Sequence, residues 1–162
     1  MRFSGLPWKM PTQLPIALGV LVEKTFRAIR IVHFAFIWAW FLLLVALKFI
    51  GTTQASAPAY LPALLGLVSV TDITIGFFRR SRYLSDAATA FQIDPESPAG
   101  LGNWRVANVL SFVFAQTISL FGFVLKFLGS SWNIAGIFFG VGLLLLIIWT
   151  PRKIQVMPRG VR

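Results

Sequence analysis

Val106 to Leu128 reads VANVLSFVFAQTISLFGFVLKFL, about 23 residues with one cation near the end and no acid. A helix of that length covers the roughly 30 Å hydrocarbon core of a bilayer at about 1.5 Å per residue. The run is continuously apolar instead of alternating, which favours a helix over a barrel strand. Gln116 lies near its middle, where a polar side chain is expected to face protein or an internal cavity. An amide can donate or accept hydrogen bonds and can coordinate an ion, but it cannot titrate.

Outward from this run, Ile31 to Ile50, Ala59 to Phe78 and Trp132 to Trp149 are also apolar and of spanning length. The chain has 162 residues, 57% hydrophobic and 12% charged, with mean hydropathy +0.77, a profile unlike that of soluble domains. The expected fold is all-α: a four-transmembrane-helix bundle of two hairpins with a short N-terminal interfacial helix. Apart from Lys48 and Lys126 near the outer ends of their runs, the basic residues fall in three clusters, before the first run, between the second and third (Arg79, Arg80, Arg82, Arg105), and after the fourth. The connections Gly51 to Pro58 and Gly129 to Ser131 carry no charge. The positive-inside rule therefore places both termini and the middle loop in the cytoplasm, and a bacterial inner membrane is the expected location. This placement accounts for the net charge of +10 without nucleic acid; the expected partners are membrane lipids and other membrane subunits or further copies of the chain.

Three segments follow. Residues 1–30 are a cytoplasmic lead, broken by Pro7, Pro11 and Pro15, and a short surface helix that runs into the first span and in which Glu23 and Arg27 form an i,i+4 pair. Residues 31–149 form the membrane domain, with a cytoplasmic loop at 79–105 that holds a short helix over Ser81 to Phe91 and turns at Asp94-Pro95 and Ser97-Pro98. Residues 150–162 are a basic tail. With no cysteine and one histidine, the chain offers neither a disulfide framework nor a multi-His metal site, and no cofactor is required. No cleaved signal pattern is present at the N-terminus.

Three polar positions inside the runs are candidates for chemistry. Asp72 is the acid inside the second run, and Thr71, Thr74, Arg30, His33 or Arg79 are its potential partners; it reads either as a structural ion pair or as a proton or cation carrier. Gln116 is the second position on such an ion pathway. His33 lies about one turn inside the first run, where it serves as an interfacial hydrogen-bonding group or as a single axial ligand for a pigment or haem beside Trp38 and Trp40. Small residues recur at packing intervals in the third and fourth runs: Ala107, Ser111, Ala115, Ser119 and Gly122, then Gly136 and Gly140 as a GxxxG pair. Such stripes allow close backbone approach, within one bundle or between subunits. Trp104, Trp132, Trp149 and Tyr60 fit interfacial belts.

At an offset of 78 residues, Ala46 to Gly51 aligns with Val124 to Gly129, and Phe34, Phe36 and Leu42 align with Phe112, Phe114 and Leu120. A duplicated two-helix hairpin leaves this pattern, as a parallel repeat; Phe- and Leu-rich helices also yield some identities by chance.

The stretch Ala115 to Leu125, AQTISLFGFVL, resembles the carboxylate-bearing helix of the rotary ATPase c subunit, the proteolipid of the ion-carrying ring. The chain is also similar to uncharacterised four-span bacterial membrane proteins that share a c-like helix. The resemblance covers a little over twenty residues. It implies ion translocation by a proteolipid-like ring, but Gln116 stands where the family has its carboxylate, and Trp38 holds the matching place in the first half. The expectation is a non-catalytic structural or accessory subunit of a larger membrane complex. Ion translocation through Asp72 and Gln116, and cofactor binding at His33, are the alternatives.

Overall fold

The computed structural model describes residues 14–50, 58–94 and 97–151. The chain before residue 14 and the basic tail after residue 151 lie outside the described residues. Four helices follow one another, α1 (Leu14–Ile50), α2 (Leu61–Ile93), α3 (Pro98–Phe127) and α4 (Trp132–Ile148), and the described residues contain no strand. The segment Val22–Phe49 of α1 and the whole of α2 and α3 are long and apolar enough to cross a membrane; α4 is a shorter apolar helix of 17 residues.

The N-terminal surface helix and the first span form one element, because α1 runs unbroken from Leu14. From Val20 to Ile50 the sequence has no Gly or Pro to stop it, so the charged turn at Glu23 to Arg30 simply continues into the apolar part. The loop expected at 79–105 is mostly helix. Between Gly76 and Asp94 nothing breaks α2, and Arg, Leu and Ala are good helix formers, so it extends to Ile93. The turn falls at the expected place. Asp94 caps α2 with extended backbone, and the Ser97 hydroxyl accepts from Gly100 N at 3.3 Å ahead of Pro98 in the first turn of α3.

The packing order also departs from two hairpins. α3 packs against all three other helices, α1 packs on α3 and α4, and α1 and α2 do not form a packed pair. α3 is accordingly the central helix, with twelve buried residues against four in α2. Its buried positions, among them Trp104, Ala107, Ser111, Ala115, Ile118, Gly122 and Leu125, recur every three or four residues, while Leu101, Asn108, Phe112 and Ser119 widen the buried arc to meet α1 and α4.

The α3–α4 hairpin closes through a Schellman motif. Gly129 takes φ 87°, Ser130 N donates to Leu125 O at 3.0 Å, and Gly129 N donates to Lys126 O at 3.0 Å. Lys126 Nζ donates to Ser130 O at 3.1 Å and lies 5.0 Å from the Trp132 ring centroid, so a cation closes the carbonyl end of α3. The Ser131 hydroxyl then accepts from Ile134 N to start α4.

Along this hairpin the small residues divide by face. A Cβ on Gly142 would collide with the Ser119 hydroxyl and lie 2.8 Å from the Ala115 carbonyl oxygen; one on Gly122 would lie 2.9 Å from the Ala135 carbonyl oxygen. Backbone therefore meets backbone at these two glycines. Ser111, Ala115, Ser119 and Gly122 are all buried, as the packing stripe requires. Gly136 and Gly140 are different. They are exposed, and a Cβ at either would meet nothing within 4 Å, so the GxxxG pair faces away from the rest of the chain while Gly142 makes the α3–α4 contact. Two residues along a helix turn about 200°, which puts Gly140 and Gly142 on opposite sides.

Candidate functional site

Of the polar positions, His33 lies at the junction of α1, α3 and α4. His33 is buried, and its Nε2 lies 2.9 Å from the Leu146 carbonyl oxygen. A carbonyl only accepts, so Nε2 carries the hydrogen. Leu146 is among the last four residues of α4, whose carbonyls lack an intrahelical donor. Trp149 N donates to Leu145 O at 2.9 Å, and Thr150 donates to Ile147 O through its hydroxyl at 2.6 Å and its backbone N at 3.3 Å. The imidazole of α1 thus completes the capping of α4 from outside. Seven residues on, Trp40 Nε1 donates to Phe139 O at 3.0 Å. His33 to Trp40 ascends α1 by two turns while Leu146 to Phe139 descends α4 by two, so the pairs pin an antiparallel register about 10 Å long.

Rings fill the space around these bonds. His33 and Phe112 of α3 have centroids 4.9 Å apart, Phe36 lies 5.8 Å from Phe112, and Trp40 meets Phe139 edge-on at 6.2 Å. Trp40 is buried, whereas Trp38 is 68% exposed on the outer side of α1. The two tryptophans do not flank one pocket. With Nε2 engaged, Nδ1 is the His33 nitrogen left for any axial ligand. At the charged end of the same helix, Arg105 of α3 donates to the Thr25 hydroxyl at 2.7 Å.

Inside α3 the polar side chains turn back on their own helix. Asn108 Nδ2 donates to Trp104 O at 2.8 Å, Ser111 to Ala107 O at 2.7 Å and Ser119 to Ala115 O at 3.3 Å. Donation to the carbonyl one turn earlier satisfies a hydroxyl or amide without a tertiary partner.

Gln116 stands apart from this pattern. Its Oε1 is buried and has no hydrogen-bond donor, and the side chain lines a shallow groove of about 210 Å³ between α1 and α3 with Phe36, Leu43, Val113, Thr117 and Leu120. Asp72 is on α2 and does not line this groove. It is half-buried and makes no hydrogen bond or ion pair among the described residues. Thr71 and Thr74, its nearest potential donors in sequence, instead donate to Leu67 O at 3.0 Å and Val70 O at 2.8 Å. The structure therefore brings His33, Trp40 and Phe112 together and keeps Asp72 and Gln116 separate.

No family model, curated protein or solved structure matches the chain.

Sequence reasoning passed over Asn108, named Trp40 only as a flank for a cofactor and not as a donor to α4, and did not give Gly142 the α3–α4 contact it makes. The seven-residue interval from His33 to Trp40 was a readable signal, since it places both polar heads on one side of α1. Gln116→Leu is expected to raise the stability of the isolated protein by about 1 kcal/mol, because it removes an acceptor buried without a donor. Unfolding followed by tryptophan fluorescence in detergent measures this, and a fall in stability would show that Oε1 is satisfied.

Proposed function

We propose that this chain is an integral membrane protein that works as a non-catalytic structural or accessory subunit of a larger membrane assembly. One observation carries the reading: the interior polar donors of α1 and α3 are spent on backbone carbonyls, those of His33 and Trp40 across to α4 and those of Asn108, Ser111 and Ser119 within α3 itself. What remains outward is apolar: Ile31, Trp38 and Phe49 on α1, Leu67 and Phe78 on α2, Ile137 and Ile147 on α4. On α4 this face also carries the unpacked Gly136 and Gly140, where a neighbouring helix could approach closely.

In this reading the basic ends of the helices lie in the cytoplasm, α4 crosses as the fourth span, and the membrane is a bacterial inner membrane. The c-like segment around Gln116 supports a helix-packing surface related to that of proteolipids. Gly136→Leu combined with Gly140→Leu tests the role directly. The double variant is expected to purify folded but without the partners or copies that accompany the wild type, and retention of the same assembly would overturn the use of this face.

Asp72 favours a second reading, since a half-buried carboxylate without a hydrogen bond among the described residues is a candidate proton or cation carrier. Asp72→Asn is then expected to abolish proton-coupled flux in reconstituted vesicles while leaving insertion intact. Flux unchanged by the substitution, or absent from the wild type, excludes this reading.

A further inference from the structure

The four helices end at different levels, and the mismatch leaves a groove. α4 stops at Ile148, whereas α2 continues 13 residues beyond Arg80 and α3 starts ten residues before Asn108. Where α4 gives out, a cavity of about 500 Å³ opens between α2, α3 and α4, walled by Phe77, Arg80, Trp104, Asn108, Ile148 and Trp149 among others.

We propose that this groove holds one anionic phospholipid, with its phosphate at Arg80 and the start of an acyl chain against Phe77 and Ile148. Its two ends differ in chemistry. Phe77 and Ile148 are 63% and 57% exposed, so the groove opens sideways onto the apolar flank where acyl chains lie. At the other end Arg80 is followed by Arg82, and no acid is found among the described residues of the wall. A guanidinium carries five N–H donors in a fork that suits phosphate, so the interaction Arg80 makes within the protein leaves donors for a ligand. Asn108, 1% exposed, uses Nδ2 toward Trp104 O, and that nitrogen carries a second hydrogen. Trp104 and Trp149 are buried at 5% and 3%, not spread on the surface as interfacial belt residues would be. They form the floor of the groove at the level where the apolar part of α2 gives way to arginines. A soluble anion would use the cation but not the apolar mouth, and a neutral lipid would use the mouth but lack the charge match.

The proposal rests on the membrane reading above but not on the accessory role. Resistance of the full chain to alkaline carbonate extraction reports on that reading separately. The test is native mass spectrometry of the full chain, titrated with phosphatidylglycerol or phosphatidylcholine of the same acyl chains. One phosphatidylglycerol is expected to be retained roughly tenfold more strongly than phosphatidylcholine. Arg80→Gln should remove the preference, and Ala88→Trp, which fills the groove from an exposed position, should remove retention of both lipids. Arg82→Gln, outside the groove, should leave both intact, and glycerol phosphate should not displace the lipid. Equal retention of the two lipids, equal effects of Arg80→Gln and Arg82→Gln, or displacement by glycerol phosphate would each overturn the assignment.

Discussion

Gly142→Leu is expected to separate α3 from α4 and to cost the protein several kcal/mol, because the new side chain has to occupy space held by the Ser119 hydroxyl and the Ala115 carbonyl. A flexible neighbour could swing aside, but a carbonyl at 2.8 Å cannot move without its helix. The hydrophobic effect offers little compensation, since lipid tails are as apolar as leucine and association within a bilayer depends on close packing. Gly136→Leu and Gly140→Leu serve as internal controls, as a Cβ at either position meets nothing within 4 Å. Each is expected to leave the unfolding free energy of the separated chain within about 0.5 kcal/mol of the wild type. Denaturation in mixed detergent micelles ranks the three variants, and a Gly142→Leu protein as stable as the controls would refute the close α3–α4 approach.

His33→Ala gives the second large effect. It leaves the Leu146 carbonyl without its donor at a buried helix end, a loss of about 1–3 kcal/mol, and it also removes the ring packed at a tilt against Phe112. Trp40→Phe keeps most of the ring volume but loses the bond to Phe139 O, and about 0.5–1.5 kcal/mol is expected. Because the two bonds set one register, the double variant should release α1 from α4 and expose the seam. Cysteines introduced at facing positions of α1 and α4 would report this as a fall in cross-linking yield, whereas unchanged cross-linking would mean that apolar packing alone holds α1. The same variant bears on cofactor binding: a pigment or haem held by His33 gives the wild type a visible absorption band that His33→Ala loses.

Much of the fold was legible in the sequence. The existence of four apolar helices, and the turns at Asp94 and Gly129, followed from run lengths and breaker residues. Helix ends were less legible at the charged side, because arginines mark the edge of an apolar run without stopping a helix; α2 passes through Arg79, Arg80 and Arg82 to Ile93. Helix neighbours were the least legible. A parallel repeat suggested hairpins, yet Phe34 is exposed while its counterpart Phe112 is fully buried, and α1 packs on α3 and α4. Composition cannot distinguish a lipid-facing phenylalanine from a core one when both surroundings are apolar. Glycine spacing had a similar limit. The GxxxG pair pointed to the outer face of α4, and the inner contact fell to Gly142, which has no such signature.

Gln116 marks the same boundary within the site. Its place on α3 was readable, and so was its inability to titrate, but its neighbours were not: it faces a groove beside Phe36 and Leu43 of α1 and does not share that groove with Asp72. A proton route through both residues would need a connection across α3. The polar bonds that do cross between helices hold α1: His33 and Trp40 join it to α4, and Arg105 of α3 donates to Thr25.

The measurement that bears most directly on the proposed role is the mass of the wild-type protein released from native membranes in mild detergent. The account predicts an assembly heavier than the 18.0 kDa chain, with partner subunits or further copies in fixed stoichiometry. A monomer carrying only lipid, at every protein concentration and in every mild detergent tested, would contradict it.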